Sequence, residues 1–304
     1  MVAEGSPGRL KNSRGIALVL TLMVVAIVTA MVVEFAYGVY TNTTALYNWQ
    51  ISQQLSLAAR SGTTLAARLL TQSNSGPELA FPGFVEISQK IPYADLDGTI
   101  TLRIEDENAK FNLRGGLNLS GVTDKDKDPY EVFTRLLSEL HLDAGIARRV
   151  AYWQDANTEH HPGDSASVSK NAPLDSVDEI ALIPGIDRKS YERLLPYVTI
   201  YGDNQTNVNT ASVPVLMSLT SAMSRDLAER IVQYRNATPF TSQDSLKRVM
   251  GYDQIGDRLN GYLLFRGRAF RVIATAESGG IKRIIECVLE GSGSNWKVKY
   301  WKEM

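Results

Sequence analysis

Residues 16–33 read IALVLTLMVVAIVTAMVV, eighteen positions without a charge; Arg9, Lys11 and Arg14 stand just before them, and Glu34 is the first charge after. A run of this length crosses a bilayer as one helix. It is too long and too smoothly continued to read as an ordinary secretory signal. The basic flank is expected to stay in the cytoplasm, which places the rest of the chain across the membrane. Only Gly38 and Gly62 interrupt residues 16–70, and proline is absent from them. Past Glu34 the apolar positions narrow to Ile51, Leu55, Ala58, Gly62, Leu65 and Leu69. That spacing of three and four predicts that the helix continues as a stalk with one face against a soluble domain. On pattern alone, a single-pass anchor and a stalk that later packs in a fibre both fit.

The composition removes several classes. Lysine and arginine number 32 against 33 aspartates and glutamates, a formal charge of -1, which offers no bulk attraction to nucleic acid. A single cysteine, Cys287, excludes an internal disulfide framework and a thiolate metal cluster; its strand-like neighbours predict burial. No GxSxG elbow, phosphate-binding loop or HExxH motif occurs, so no enzyme is expected. His160 and His161, with His141, read as exposed histidines rather than a zinc site, which wants three or four ligands on adjacent elements. Ile183-Pro184-Gly185-Ile186 between two helical segments resembles a helix–hairpin–helix phosphate clamp, with Arg188, Lys189 and Arg193 nearby. Asp175, Asp178, Glu179 and Asp187 crowd the same turn, so a structural hairpin and no nucleic-acid partner are expected.

Along the chain, residues 84–92 and 99–107 alternate as two strands around an Asp97-Gly98 turn. Residues 130–153 carry two helical patterns, with Asp143 as a cap for the second. Helix is expected again at 175–183, after Asp187, at 213–223, at 224–234 and near 242. Three strands follow from Phe270. The economical architecture is α+β, with an all-helical domain inserted between the second and third strands. Asn207-Val208-Asn209-Thr210-Ala211 is expected to hold a loop and cap the helix after it.

The polar stretch 154–172 is the candidate ligand loop. Asp155, Asn157 and Glu159 alternate, and Asp164 and Glu179 lie close in sequence. These are the oxygen donors that calcium takes in sets of six to eight. His160 stands where an EF-hand needs glycine and Ala166 where it needs glutamate, so a solvated loop and a cation loop both stay open. The alternation Asp124, Asp126, Asp128 reads as solvated.

The junction Lys11-Asn12-Ser13-Arg14-Gly15-Ile16-Ala17-Leu18 resembles the processing site of type IV pilins and pseudopilins. The resemblance implies that a prepilin peptidase cuts after Gly15 and methylates Ile16. That family usually has glutamate at the fifth mature position; here it is Leu20. The ordered set Trp153-Gln154-Asp155, Pro162-Gly163, Asn171-Ala172-Pro173-Leu174, Val177-Asp178-Glu179-Ile180, Asn207-Val208-Asn209-Thr210-Ala211, Arg235 and Pro239-Phe240 resembles the K-type minor pseudopilins of type II secretion systems. So does the run EDENAKFNL at 105–113, and the K type is the one known for lacking the glutamate.

The resemblance implies a pilin-like α+β fold with a long N-terminal helix and an antiparallel sheet, interrupted by a large inserted all-helical domain. It divides the chain into a cytoplasmic leader 1–15, a transmembrane and stalk helix 16–71, a first pilin-like part 72–108, an inserted domain 109–268 and last strands 269–304. It implies an inner-membrane protein with a periplasmic soluble domain and no catalysis. Its partners would be I-type and J-type minor pseudopilins, and it would sit at the pseudopilus tip, start the pseudopilus and support protein export by the secretion machinery. It also implies calcium at Asp155, Asn157, Glu159, Asp164 and Glu179, with Gln154 and Asn157 standing where more acidic residues are expected. A minor pilin of a type IV pilus or DNA-uptake apparatus is the alternative reading.

Overall fold

The computed structural model describes residues 13–73, 84–91, 96–114, 117, 126, 128–156 and 169–304. Helix α1 spans Ser13–Ser73, the whole of the proline-free stretch. The chain forms two compact units, Met1–Gln54 and Leu55–Met304. In the first, residues 16–33 are all exposed, and the helix holds an 18-residue window of mean hydropathy 3.0. It is long and apolar enough to cross a membrane once.

In the second unit α1 buries Leu55, Ala59, Gly62, Ala66 and Leu70, whereas Leu65 is 39% exposed. The expected seam through Leu65 and Leu69 is therefore displaced by one residue. The buried arc takes in Ala58 and Ala59 together and runs on through Gly62 and Ala66, so Leu65 falls at its edge. The middle of the buried row, Ala59, Gly62 and Ala66, is made of small residues, which brings the helix close to the sheet. At Gly62 a Cβ would stand 2.7 Å from Leu102 Cδ2 and 2.8 Å from Ile100 Cδ1.

Strands β1 (Phe84–Lys90) and β2 (Gly98–Asp106) follow. The chain then leaves the sheet. It makes β3 (Phe111–Asn112), α2 (Pro129–Glu139), α3 (Gly145–Gln154), a 3-10 turn at Val177–Leu182 and α4 (Arg188–Leu194). Next come β4 (Val198–Thr199), β5 (Thr206–Asn207), α5 (Val213–Ser218), α6 (Arg225–Ala237), α7 (Gln243–Leu246) and β6 (Leu263–Leu264). Strands β7 (Ala269–Ser278), β8 (Ile281–Ser292) and β9 (Asn295–Glu303) complete the sheet, whose antiparallel order is β1-β2-β7-β8-β9. The fold is thus the expected α+β arrangement of a long helix and an antiparallel sheet, interrupted between β2 and β7. Besides its helices the interruption carries two short parallel pairs, β3 with β4 and β5 with β6.

Two cores support this unit. Between helix and sheet lie Ala66, Leu70, Ile104, Phe270, Val272, Cys287 and Leu289. Cys287 is fully buried there, and burial pushes its thiol up to about 11, so it is held as a neutral apolar group. The larger core packs Phe133, Leu136, Leu174, Ile180, Leu216 and Ile231 of the insert, and it reaches Ala269 and Val288 of the sheet.

Several helix ends differ from the sequence expectation for local reasons. The segment 175–183 forms a 3-10 turn, capped by Ser176 with Glu179 in a capping box. Pro184 holds Ile183 in an extended conformation, leaving too few residues for an α-helix. Helix α5 stops at Ser218, where the Thr220 hydroxyl accepts from the Ala222 N–H at 3.3 Å and competes with further helix.

Candidate functional site

Three stretches singled out by sequence take defined places. The first is the end of β2, where Asp106, Glu107 and Asn108 are all buried. Asp106 Oδ1 accepts from the Asn108 N–H at 2.9 Å, while Oδ2 accepts from Asn207 Nδ2 at 2.6 Å and Thr210 Oγ1 at 2.7 Å. Burial pushes this carboxyl up to about 6, against the pull of those three donors. Glu107 accepts from Arg271 Nε at 2.8 Å, from Lys110 Nζ at 3.0 Å and from the Thr199 hydroxyl. Burial alone would raise its pKa; Lys110 and Arg271 outweigh it and hold the carboxyl below its usual value. Asn108 donates to Asp203 Oδ1 at 3.0 Å and accepts from the N–H groups of Arg268 and Ala269 at 2.8 and 3.0 Å. The insert's departure and return are tied together at this one place.

The asparagines of the second stretch, 207–211, hold their loop as expected but do not cap α5, whose N-cap Ser212 makes no side-chain cap bond. They reach further. Asn207 and Thr210 bind Asp106, and Asn209 binds the Phe240 carbonyl and N–H, each at 2.8 Å, and the Phe265 carbonyl at 2.8 Å. Arg235, 3% exposed, donates from Nη1 to the carbonyls of Val208 and Ala211 at 2.6 and 2.7 Å. Burial pulls its guanidinium down to about 10. Sequence reasoning missed the two buried acids, Asp106 and Glu107. The available signal was a charged run closing an alternating strand immediately before the core residues Phe111 and Leu113.

The third stretch is the expected calcium loop. Asn157, Glu159 and Asp164 lie outside the described residues, as do His160, His161 and Asp124. Asp155 is the C-cap of α3. Glu179, read from the sequence as a calcium ligand, is committed elsewhere. Lys170 Nζ stands 2.9 Å from each of its carboxylate oxygens, and Oε1 accepts from the Asp175 and Ser176 N–H groups at 2.8 and 3.2 Å. Trp153 Nε1 donates to Oε2 at 3.4 Å. Burial would raise the pKa of Glu179; the bonds from Lys170, Asp175 and Trp153 win and lower it. Among the described residues no group of three or more histidines, cysteines, aspartates or glutamates is placed to hold a metal. Both oxygens of Glu179 are thus already engaged by Lys170 and by N–H donors.

Two of the three aspartates read as a solvated loop, Asp126 and Asp128, are used. Asp126 receives Thr220 Oγ1 and the Ser221 N–H, both at 3.1 Å, and Arg258 Nη1 at 3.0 Å. These bonds overcome burial and lower its pKa to about 2. Asp128 caps α2 through the Tyr130 N–H at 3.0 Å. The hairpin at Pro184-Gly185 is built as a turn, with Gly185 at φ +83°. Arg193 donates to the Leu140 carbonyl at 2.5 Å and Arg188 pairs with Glu192 at 2.7 Å, and Lys189 is exposed beside Asp187, whose carboxyl it helps hold below the usual range. Gly15, Ile16 and Leu20 all lie on exposed turns of α1.

Two family profiles, both described as type II secretion system (T2SS), protein K, match residues 109–203 and 206–262. Type II secretion system protein K of Klebsiella pneumoniae is 30% identical over 262 residues, 76% of this chain and 78% of that protein. The chain belongs to the type II secretion system protein K family. Protein K of Pseudomonas aeruginosa is 26% identical over 313 residues, 95% of this chain and 92% of its own. The crystal structure of the GspK-GspI-GspJ complex from enterotoxigenic Escherichia coli contains a chain similar in fold. The match covers 83% of this chain and 96% of that one, with a TM-score of 0.58 and 19% identity. Both protein K profiles fall between β2 and β7; the second holds Asn207, Asn209, Thr210, Arg235 and Phe240, while Asp106, Glu107 and Asn108 lie just before the first.

Proposed function

We propose that this protein K is a minor pseudopilin that joins I-type and J-type pseudopilins at the tip of the pseudopilus and starts its assembly. It is a structural part, held by a single pass in the inner membrane with the unit from Leu55 onward in the periplasm. The observation that carries the reading is the connection between the paired central strands β2 and β7: it is a bulky insert that would obstruct a further subunit above it. Leu20 supports it from the other end of the chain. A subunit lacking a carboxylate at that position cannot neutralise the amino terminus of a neighbour within the fibre, which suits the last position rather than a repeated one. Family membership favours this over a type IV pilus or DNA-uptake role.

The test is co-expression of the full chain with I-type and J-type pseudopilins of the same organism, followed by detergent extraction. The expected result is a stable heterotrimer; a chain that stays alone beside folded partners would overturn the reading. Processing is tested on the same material. The purified chain is expected to begin at a methylated Ile16 by intact mass, and Gly15→Leu to retain residues 1–15. A wild-type chain that keeps its leader beside active prepilin peptidase would refute processing at Gly15.

A further inference from the structure

We infer that Lys170 is a built-in cation for the Asp175–Glu179 corner, so that this corner of the insert closes without a divalent ion and Glu179 is not a calcium ligand. Lys170 Nζ lies 2.7 Å from Asp175 Oδ2 as well as 2.9 Å from both oxygens of Glu179. The Lys170 and Glu179 side chains are 23% and 16% exposed, so the pair is largely shielded. A carboxylate offers about four lone-pair directions. Here they meet the lysine, two backbone N–H groups and the Trp153 indole. Calcium binds carboxylate oxygen at about 2.3–2.6 Å. It could approach Glu179 only by displacing the ammonium, because two cations about 4 Å apart repel strongly away from bulk water.

The lysine also joins two parts of the insert. The loop leaving α3 returns at Lys170, and its base is closed by the Asn171 N–H on the Trp153 carbonyl at 2.9 Å. Gln154 adds bonds to the Leu113 carbonyl at 3.2 Å and from the Leu174 N–H at 3.4 Å. Lys170 then clips the returning chain to the 3-10 turn that carries Glu179. The inference concerns Lys170, Asp175 and Glu179 alone.

The experiment uses the full chain in detergent as wild type, Lys170→Met and Glu179→Gln, each unfolded thermally in EDTA and in calcium chloride. Wild type and Glu179→Gln are expected to show the same calcium-induced shift in midpoint, whatever its size. Lys170→Met is expected to lower the midpoint in EDTA by about 3 °C. A calcium shift in wild type that Glu179→Gln removes overturns the inference, as does an unchanged midpoint for Lys170→Met in EDTA. Should Lys170→Met not fold, Lys170→Arg decides: retained charge must keep the wild-type calcium response, and a new dependence on calcium refutes the built-in cation.

Discussion

Asp106 carries a conflict that solution measurements can read. It is 5% exposed, and its folded pKa of about 6 lies above the ordinary aspartate value of 3.8. The folded state therefore holds the proton more tightly than the unfolded chain. Stability contributed by this group is full below about pH 4, falls as pH rises to about 6, and stays lost above it. The difference is on the order of 3 kcal/mol. Chemical denaturation between pH 4.5 and 7.5 is expected to show this decline, and Asp106→Asn to flatten it. A slope that survives the substitution would assign the effect elsewhere. Asp126 works in the opposite sense and in a lower window: its folded pKa of about 2 gives stability present above pH 4 and lost as pH falls toward 2. Neither role is legible in the sequence. Asp126 looks like one of three alternating loop aspartates, and Asp106 like one acid in a charged run; their partners Arg258, Asn207 and Thr210 are about a hundred residues away and leave no local trace.

Elements are more legible than residues, and the reason is periodicity. Strands β1, β2 and β7–β9 alternate within themselves and are bounded by turns such as Asp97-Gly98 and Gly279-Gly280, so they show in a short window. Helix α1 shows for the same reason, but its facing does not. Burial passes over Leu65 and takes Ala66 instead, a choice that the apolar spacing does not make. The contact at Gly62 makes this facing testable. Gly62→Leu must push Leu102, 1% exposed, and Ile100 out of place, at an expected cost of about 1–3 kcal/mol. An unchanged denaturation midpoint would mean that another face of the helix meets the sheet. The 3-10 turn at Val177–Leu182 marks the limit of pattern reading. Its apolar spacing looks helical, and only the short distance between Ser176 and Pro184 decides otherwise.

At the scale of the whole molecule the interruption of the sheet is legible as a block of helical patterns between strand patterns, while the sheet order is not. Nothing local says that β2 pairs with β7, or that Asp106 stands opposite Phe270. Those two residues are neighbours on one ladder although the entire insert separates them along the chain. The arrangement bears on the order in which the molecule forms. If the insert were a slack loop, bringing β2 to β7 would carry a closure cost that rises by about 0.6 kcal/mol with each doubling of length. A collapsed insert removes most of that cost, because its two ends, held through Asn108 on Arg268 and Ala269, already stand side by side. Pulse-labelled hydrogen exchange during refolding is expected to protect amides of α2 and α6 before those of β7. Simultaneous protection, or β7 first, would contradict this order. The stretch that looks like an intrusion into the sheet would then be its nucleus, and the two halves of the sheet would meet because the part between them had finished folding.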